Sequence, residues 1–161
     1  MRTNMKINAI ILNDLVMPDM LQPKTPGSAG IDLMAVNFGM ENTDHIYLYP
    51  NQCLKIGTGI AIHLDSPWYA ALVLPRSGVG HKGLILGNTI GLIDSDYQGE
   101  IILSVWNRSP NDIRINQMDR IAQLIIIPVI QPVFNFVESF EETERGDGGF
   151  GSTGVSILGK D

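Results

Sequence analysis

The hydrophobic positions of this chain fall in short β-like runs, and no segment sustains a helical apolar stripe over a normal helix length. The runs lie at residues 6–12, 31–36, 45–49, 52–64, 69–74, 100–107, 113–116, 120–129 and 133–137. Several are rich in β-branched and aromatic residues, and Gly, Pro, Asn or Asp punctuates the gaps between them. Many short strands at this spacing predict an all-β, single-domain antiparallel sandwich or barrel of the jelly-roll kind. Around Gly78–Lys82 a helical turn has the room to form, but its glycines weigh against it. From Glu141 the texture changes: residues 141–154 hold five glycines in their last nine positions and cannot bury much apolar area. The expected organisation is one domain over residues 1–140 and a flexible, Gly-rich C-terminal arm over 141–161.

Composition changes this picture only slightly. At 161 residues one domain is the economical reading. Charged residues make up 17%, against roughly 25% in ordinary globular proteins, which points to surface buried between subunits. The net charge of −6 argues against a broad nucleic-acid-binding face, yet local cations and a metal can still hold a small anionic substrate. The one cysteine, Cys53, excludes an internal disulfide and a multi-cysteine metal site, and its apolar surroundings predict a core position. The apolar stretch 121–137 is broken by Gln123, Pro128, Gln131, Pro132 and Asn135, so no membrane span is expected. No signal-peptide pattern opens the chain, and a cytoplasmic protein is the expectation.

Five segments place glycine beside polar or charged residues. In the first, residues 26–35, Asp32 reads either as an edge carboxylate after a turn or as a site residue. In the second, residues 74–80, Arg76, the Ser77 hydroxyl and the backbone at Gly78 suit phosphate oxygens, because a guanidinium fork binds two at once. A plain loop accounts for the same residues, and the chain contains no P-loop pattern. The third, residues 87–101, looks like a β-hairpin with a polar tip, in which Ser95, Asp96 and Gly99 serve as turn residues. Turn chemistry explains less well why Asp94 directly follows Leu92 and Ile93; a carboxylate beside apolar walls is a natural general base. In the fourth, Gln123 interrupts an apolar strand, as a core side chain bonded to backbone or as a ligand contact. The fifth is the glycine-rich tail, where Arg145 and Phe150 fit a phosphate grip and a base-stacking ring on a closing flap.

In this order the five segments resemble the five motifs of the homotrimeric dUTPase family. They read Ala29-Gly-Ile-Asp-Leu, Pro75-Arg-Ser-Gly, Gly91-Leu-Ile-Asp-Ser-Asp-Tyr-Gln-Gly-Glu, Arg120-Ile-Ala-Gln-Leu and Arg145-Gly-Asp-Gly-Gly-Phe-Gly-Ser-Thr-Gly, and the resemblance spans roughly residues 5–154. It implies a jelly-roll trimer whose active sites draw on all three chains, with the tail closing over a neighbour's substrate. The implied reaction is Mg²⁺-dependent hydrolysis of dUTP to dUMP and pyrophosphate, which limits uracil in DNA and supplies dUMP for thymidylate synthesis.

The resemblance also implies roles. Asp94 matches the acid that orients and deprotonates the attacking water. Asn88 and the backbone around it match the uracil reader, and Tyr97 matches the ring under the deoxyribose that excludes a 2′-hydroxyl. Arg76, Ser77, Gly78 and Gln123 match phosphate contacts. Arg145, Phe150, Gly151 and Ser152 match the flap, with Phe150 over the base. Asp32 matches a supporting carboxylate at a subunit junction. The metal is expected to ride on the phosphates and waters, with no protein ligand named. One departure concerns the loop after Pro75-Arg-Ser-Gly. Here His81-Lys82 runs directly into Gly83-Leu84, one residue shorter than is usual, so neither His81 nor Lys82 receives a catalytic role.

Three rivals stand beside this reading. The dCTP deaminases share the fold but need a proton-shuttling Glu beside the base and lack a flap like residues 145–154; here Glu100 lies beyond the hairpin. Arg145-Gly146-Asp147 matches an adhesion tripeptide, a length that recurs by chance. An inactive relative acting as a binding protein is the third, although every expected catalytic position is filled.

Overall fold

Eight of the nine expected runs are strands in the computed structural model, which describes residues 5–39 and 43–149. In chain order the strands are β1 (Asn8–Ile11), β2 (Ile31–Met34), β3 (His45–Leu48), β4 (Cys53–His63), β5 (Tyr69–Pro75), β6 (Leu84–Leu86), β7 (Gly91–Ile93), β8 (Glu100–Asn107), β9 (Ile113–Asn116) and β10 (Arg120–Pro128). They pair antiparallel into two four-stranded sheets, β1-β4-β8-β6 and β2-β10-β5-β7, and a small β3-β9 ribbon. Both larger sheets feed one core, the first through Ile56, Leu103 and Val105, the second through Leu33, Val73 and Leu124. Strand β8 shows the rule: Ile101, Leu103 and Val105 are buried, while Ile102 between them is exposed. Cutting such a core leucine back to alanine costs ~2–5 kcal/mol. The all-β, jelly-roll-like expectation holds.

A bend in β4 brings the third motif to its position. Its first half pairs with β8 and its last residues with β1, and its register with β8 shifts between Gly57 and Ala61. The Glu100 carboxylate fills the irregularity, with Oε1 accepting the Gly59 N–H at 2.8 Å. Beside it the Thr58 hydroxyl donates to the Ile101 carbonyl at 2.7 Å. Such a bulge re-aims the chain that follows it.

Four expectations need correction. Residues 133–137 form no strand; Val133, Phe134 and Phe136 stand exposed, and a strand without a partner edge has nothing to bond. Residues 87–101 are no hairpin, because β7 pairs with β5 in one sheet and β8 pairs with β4 and β6 in the other. The polar run from Asp94 to Gly99 is therefore a crossing between sheets, closed on itself by Tyr97 N–H to Asp94 O at 3.3 Å and tied to β4 by Leu64 N–H to Ser95 O at 3.2 Å. Residues Ser77–His81 do form a short helix, α1, despite two glycines. One turn costs only about 1 kcal/mol per glycine, and Val79 packs against the core. Finally, Cys53 is exposed: it lies at the rim of β4, opposite Trp106, before the buried stretch begins at Ile56.

The chain divides into two compact units, residues 1–131 and 132–161. Among the described residues no helix is long and apolar enough to cross a membrane.

Candidate active site

Strand β10 lies between β2 and β5, and its register sets Gln123 opposite Asp32 on one side and Leu74 on the other. Residues 88 positions apart in sequence thereby come into contact. Asp32 is 8% exposed, and its two oxygens are divided between two guanidiniums. Arg76 Nε lies 2.8 Å from Oδ1 and Arg120 Nη1 lies 3.1 Å from Oδ2. Arg76 Nη1 also donates to the Arg120 carbonyl at 2.8 Å, which fixes the plane of its guanidinium. A carboxylate so deeply placed is stable only with such partners. Two cations against one anion leave this cluster one net positive charge, and Lys24 and Lys82 add to it along the cleft.

Gln123 ties the same three segments together. Its Nε2 donates to the Pro75 carbonyl at 3.0 Å, directly before Arg76. Its other end lies across Gly30, where an added Cβ would sit 2.6 Å from Oε1; glycine leaves the room that this crossing needs. Ser77 and Gly78 follow on the exposed start of α1, with open space beside the Gly78 Cα. Together these residues border a cleft of about 880 Å³, which Lys24 and Ser28 complete. Its cationic rim and backbone turn suit phosphate oxygens.

The third motif lies elsewhere. Ile93 pairs with Ala71 of β5, so Asp94 emerges level with Ala70, whereas Arg76 follows the far end of the same strand. Six residues of β-strand at ~3.3 Å each separate them by roughly 20 Å. Asp94 is exposed and opens onto a second cleft, of about 740 Å³, walled by His63, Tyr69, Leu92 and Asp96. Asn88 occupies the turn between β6 and β7, next to Thr89, whose φ of 60° is rare for a β-branched residue. Tyr97 is exposed, and its hydroxyl donates to the Glu100 carbonyl at 3.0 Å. The Glu100 side chain, engaged with Gly59, already has a structural partner, which weakens its reading as a deaminase proton shuttle.

In the second unit, Arg145 closes a turn on itself: Nε donates to the Gly148 carbonyl at 3.0 Å, and the Gly148 N–H returns to the Arg145 carbonyl at 3.1 Å. Phe150, Gly151 and Ser152 lie outside the described residues. The structure therefore brings together Asp32, Arg76, Ser77, Gly78 and Gln123, and sets Asp94 apart from them. Among the described residues no group of three or more His, Cys, Asp or Glu side chains converges to hold a metal. Sequence reasoning quoted Arg120 in the fourth motif but gave it no role. Its position beside Met34 on β2, two residues from Asp32, becomes visible only once the register is known. Lys24 was missed outright, since nothing in its spacing marks it, and Ser28, inside the first segment, received no role.

A dUTPase family model matches residues 18–154 of the chain. The deoxyuridine 5'-triphosphate nucleotidohydrolase of Paraburkholderia phymatum is 50% identical over 151 residues, covering 93% of this chain and 99% of its own. The protein of that name from Methylobacillus flagellatus is 56% identical over 132 residues, covering 81% and 84%. Among solved structures, a mutant dUTPase of Staphylococcus bacteriophage 80alpha with dUpNHpp is 27% identical, with a TM-score of 0.78 over 93% of this chain and 99% of that one.

Proposed function

This chain belongs to the dUTPase family, and from that premise we propose that it hydrolyses dUTP to dUMP and pyrophosphate as a dUTP diphosphatase. The observation that carries the reading is the cationic cleft of Arg76, Ser77 and Gln123, buttressed by Asp32, in a chain whose residues 18–154 match the dUTPase model. Water attacks the α-phosphorus in line. Asp94 orients that water and takes its proton, the new P–O bond forms, and the bond to the β-phosphate oxygen breaks as pyrophosphate leaves. Arg76, with the Ser77 hydroxyl, the Gly78 backbone and Gln123, holds the phosphate oxygens, and Arg145 and Ser152 add to that grip from the flap.

Mg²⁺ is the proposed cofactor. The ion is proposed to be carried by the triphosphate and water instead of a protein cage. Such an ion would supply positive charge beside the phosphate oxygens that Arg76 and Arg145 are proposed to hold. Asn88 and its backbone read the uracil edge. Tyr97 lies under the deoxyribose, and Phe150 with Gly151 closes over the base.

The roughly 20 Å between Asp94 and Arg76 along β5 supports a site shared between chains, since both residues have to reach one nucleotide's phosphates. A homotrimer, in which the arm completes a neighbour's site, meets that need. The outward row Ile85, Trp106 and Cys53 across β6, β8 and β4 offers an apolar sheet face for such packing. Placed in the cytoplasm, the enzyme would keep uracil out of DNA and supply dUMP.

Pyrophosphate release from dUTP, dCTP, dTTP and UTP, each with Mg²⁺ and with excess EDTA, tests the reading. Fast release from dUTP alone, abolished by EDTA, is the expected result. Release from none of the four, or ammonia release from dCTP, would overturn it.

A further inference from the structure

We infer that Gly99 is a specificity-determining residue that sets the enzyme's choice of sugar by leaving room for the Tyr97 ring. The inference rests on the proposed placement of Tyr97 beneath the deoxyribose. An ideal Cβ built on Gly99 would lie 2.5 Å from Tyr97 Oη, 2.7 Å from Cζ and 3.2 Å from Cε2. All three fall below ordinary van der Waals separation, the closest by about 1 Å. Gly99 is not among the positive-φ residues, so its backbone would accept alanine without strain. What glycine supplies here is space for a neighbouring ring.

The ring is held from a second direction. Tyr97 Oη donates to the Glu100 carbonyl at 3.0 Å, and the Glu100 carboxylate accepts the Gly59 N–H at 2.8 Å. The tip of the ring is thus moored to a residue anchored in the β4 bulge, on a crossing that otherwise stands exposed. A methyl group at position 99 cannot coexist with this arrangement. The ring end, being the movable partner, has to swing away and lose its bond to Glu100. A sugar-facing ring displaced by about 1 Å no longer blocks a 2′-hydroxyl, and misplacement on that scale is enough to change specificity.

The test compares kcat/KM for dUTP, UTP and dCTP across Gly99→Ala, Tyr97→Ala and the double variant. For Gly99→Ala the dUTP:UTP ratio is expected to fall on the order of tenfold, while the dUTP:dCTP ratio, which reports base reading, stays put. General destabilisation would lower all three substrates together. Tyr97→Ala is expected to lower the sugar ratio at least as far, with no further change when Gly99→Ala is added. If Tyr97→Ala collapses the ratio and Gly99→Ala leaves it intact, the inference about Gly99 is wrong. An unchanged ratio in Tyr97→Ala removes the reading of Tyr97 itself, and this inference with it. Should Gly99→Ala fail to fold, the Tyr97→Ala/Gly99→Ala double variant takes its place. Without the clashing ring it is expected to fold and melt like Tyr97→Ala alone, and a double variant that also fails to fold would overturn the proposal.

Discussion

At the scale of single residues, the two carboxylates of the motifs occupy opposite settings. Asp32 is buried and committed to Arg76 and Arg120, so its charge is already spent on positioning. Asp94 is exposed and has no ion pair among the described residues, so its oxygens are available to a water or a nucleotide. That contrast supports the base role proposed for Asp94. Asp94→Asn should cut turnover by at least ~10²–10⁴-fold while leaving dUTP binding nearly intact, because the amide preserves shape but takes up no proton. Stopped-assay turnover together with calorimetric titration of a non-hydrolysable analogue would check both halves. Near-normal turnover would move the base elsewhere.

At the scale of elements, legibility followed length. The eight strands recognised in the sequence are those of at least four residues, enough for a period of two to show. The three-residue strands β6 and β7 carry no readable period, which is why 87–101 passed for a hairpin. Residues 133–137 had the composition of a strand but lack a partner edge, which composition does not report. The candidate site was legible as residue types and only partly as an arrangement. Arg76 and Gln123 stood out by chemistry, but their junction with Asp32 and Arg120 depends on the β2-β10-β5 register. The turn between β6 and β7 carries its own stored cost. With φ at 60°, Thr89 pays roughly 1–2 kcal/mol for a left-handed backbone that Asn tolerates. Thr89→Asn is therefore expected to raise the melting temperature by about 2–4 °C in a thermal scan. A fall would mean that the Thr89 hydroxyl bond to the Asn88 carbonyl, at 2.6 Å, outweighs the strain.

At the scale of the whole molecule, β5 keeps Asp94 and Arg76 apart. Under the shared-site reading, a chain carrying Asp94→Asn and one carrying Arg76→Ala are each inactive alone but complement each other when mixed. Random assortment after co-refolding should restore about a quarter of wild-type activity, since each working site needs one intact contribution from each kind of chain. Recovery near zero would place both residues in one chain's site. The same span has a meaning for inheritance. If sites are shared in that way, then after a gene duplication a copy damaged at either end of this strand would impair the healthy sister chains it joins. Selection would then judge the damaged copy by the harm it does in company, and purge it faster than its own idleness would warrant.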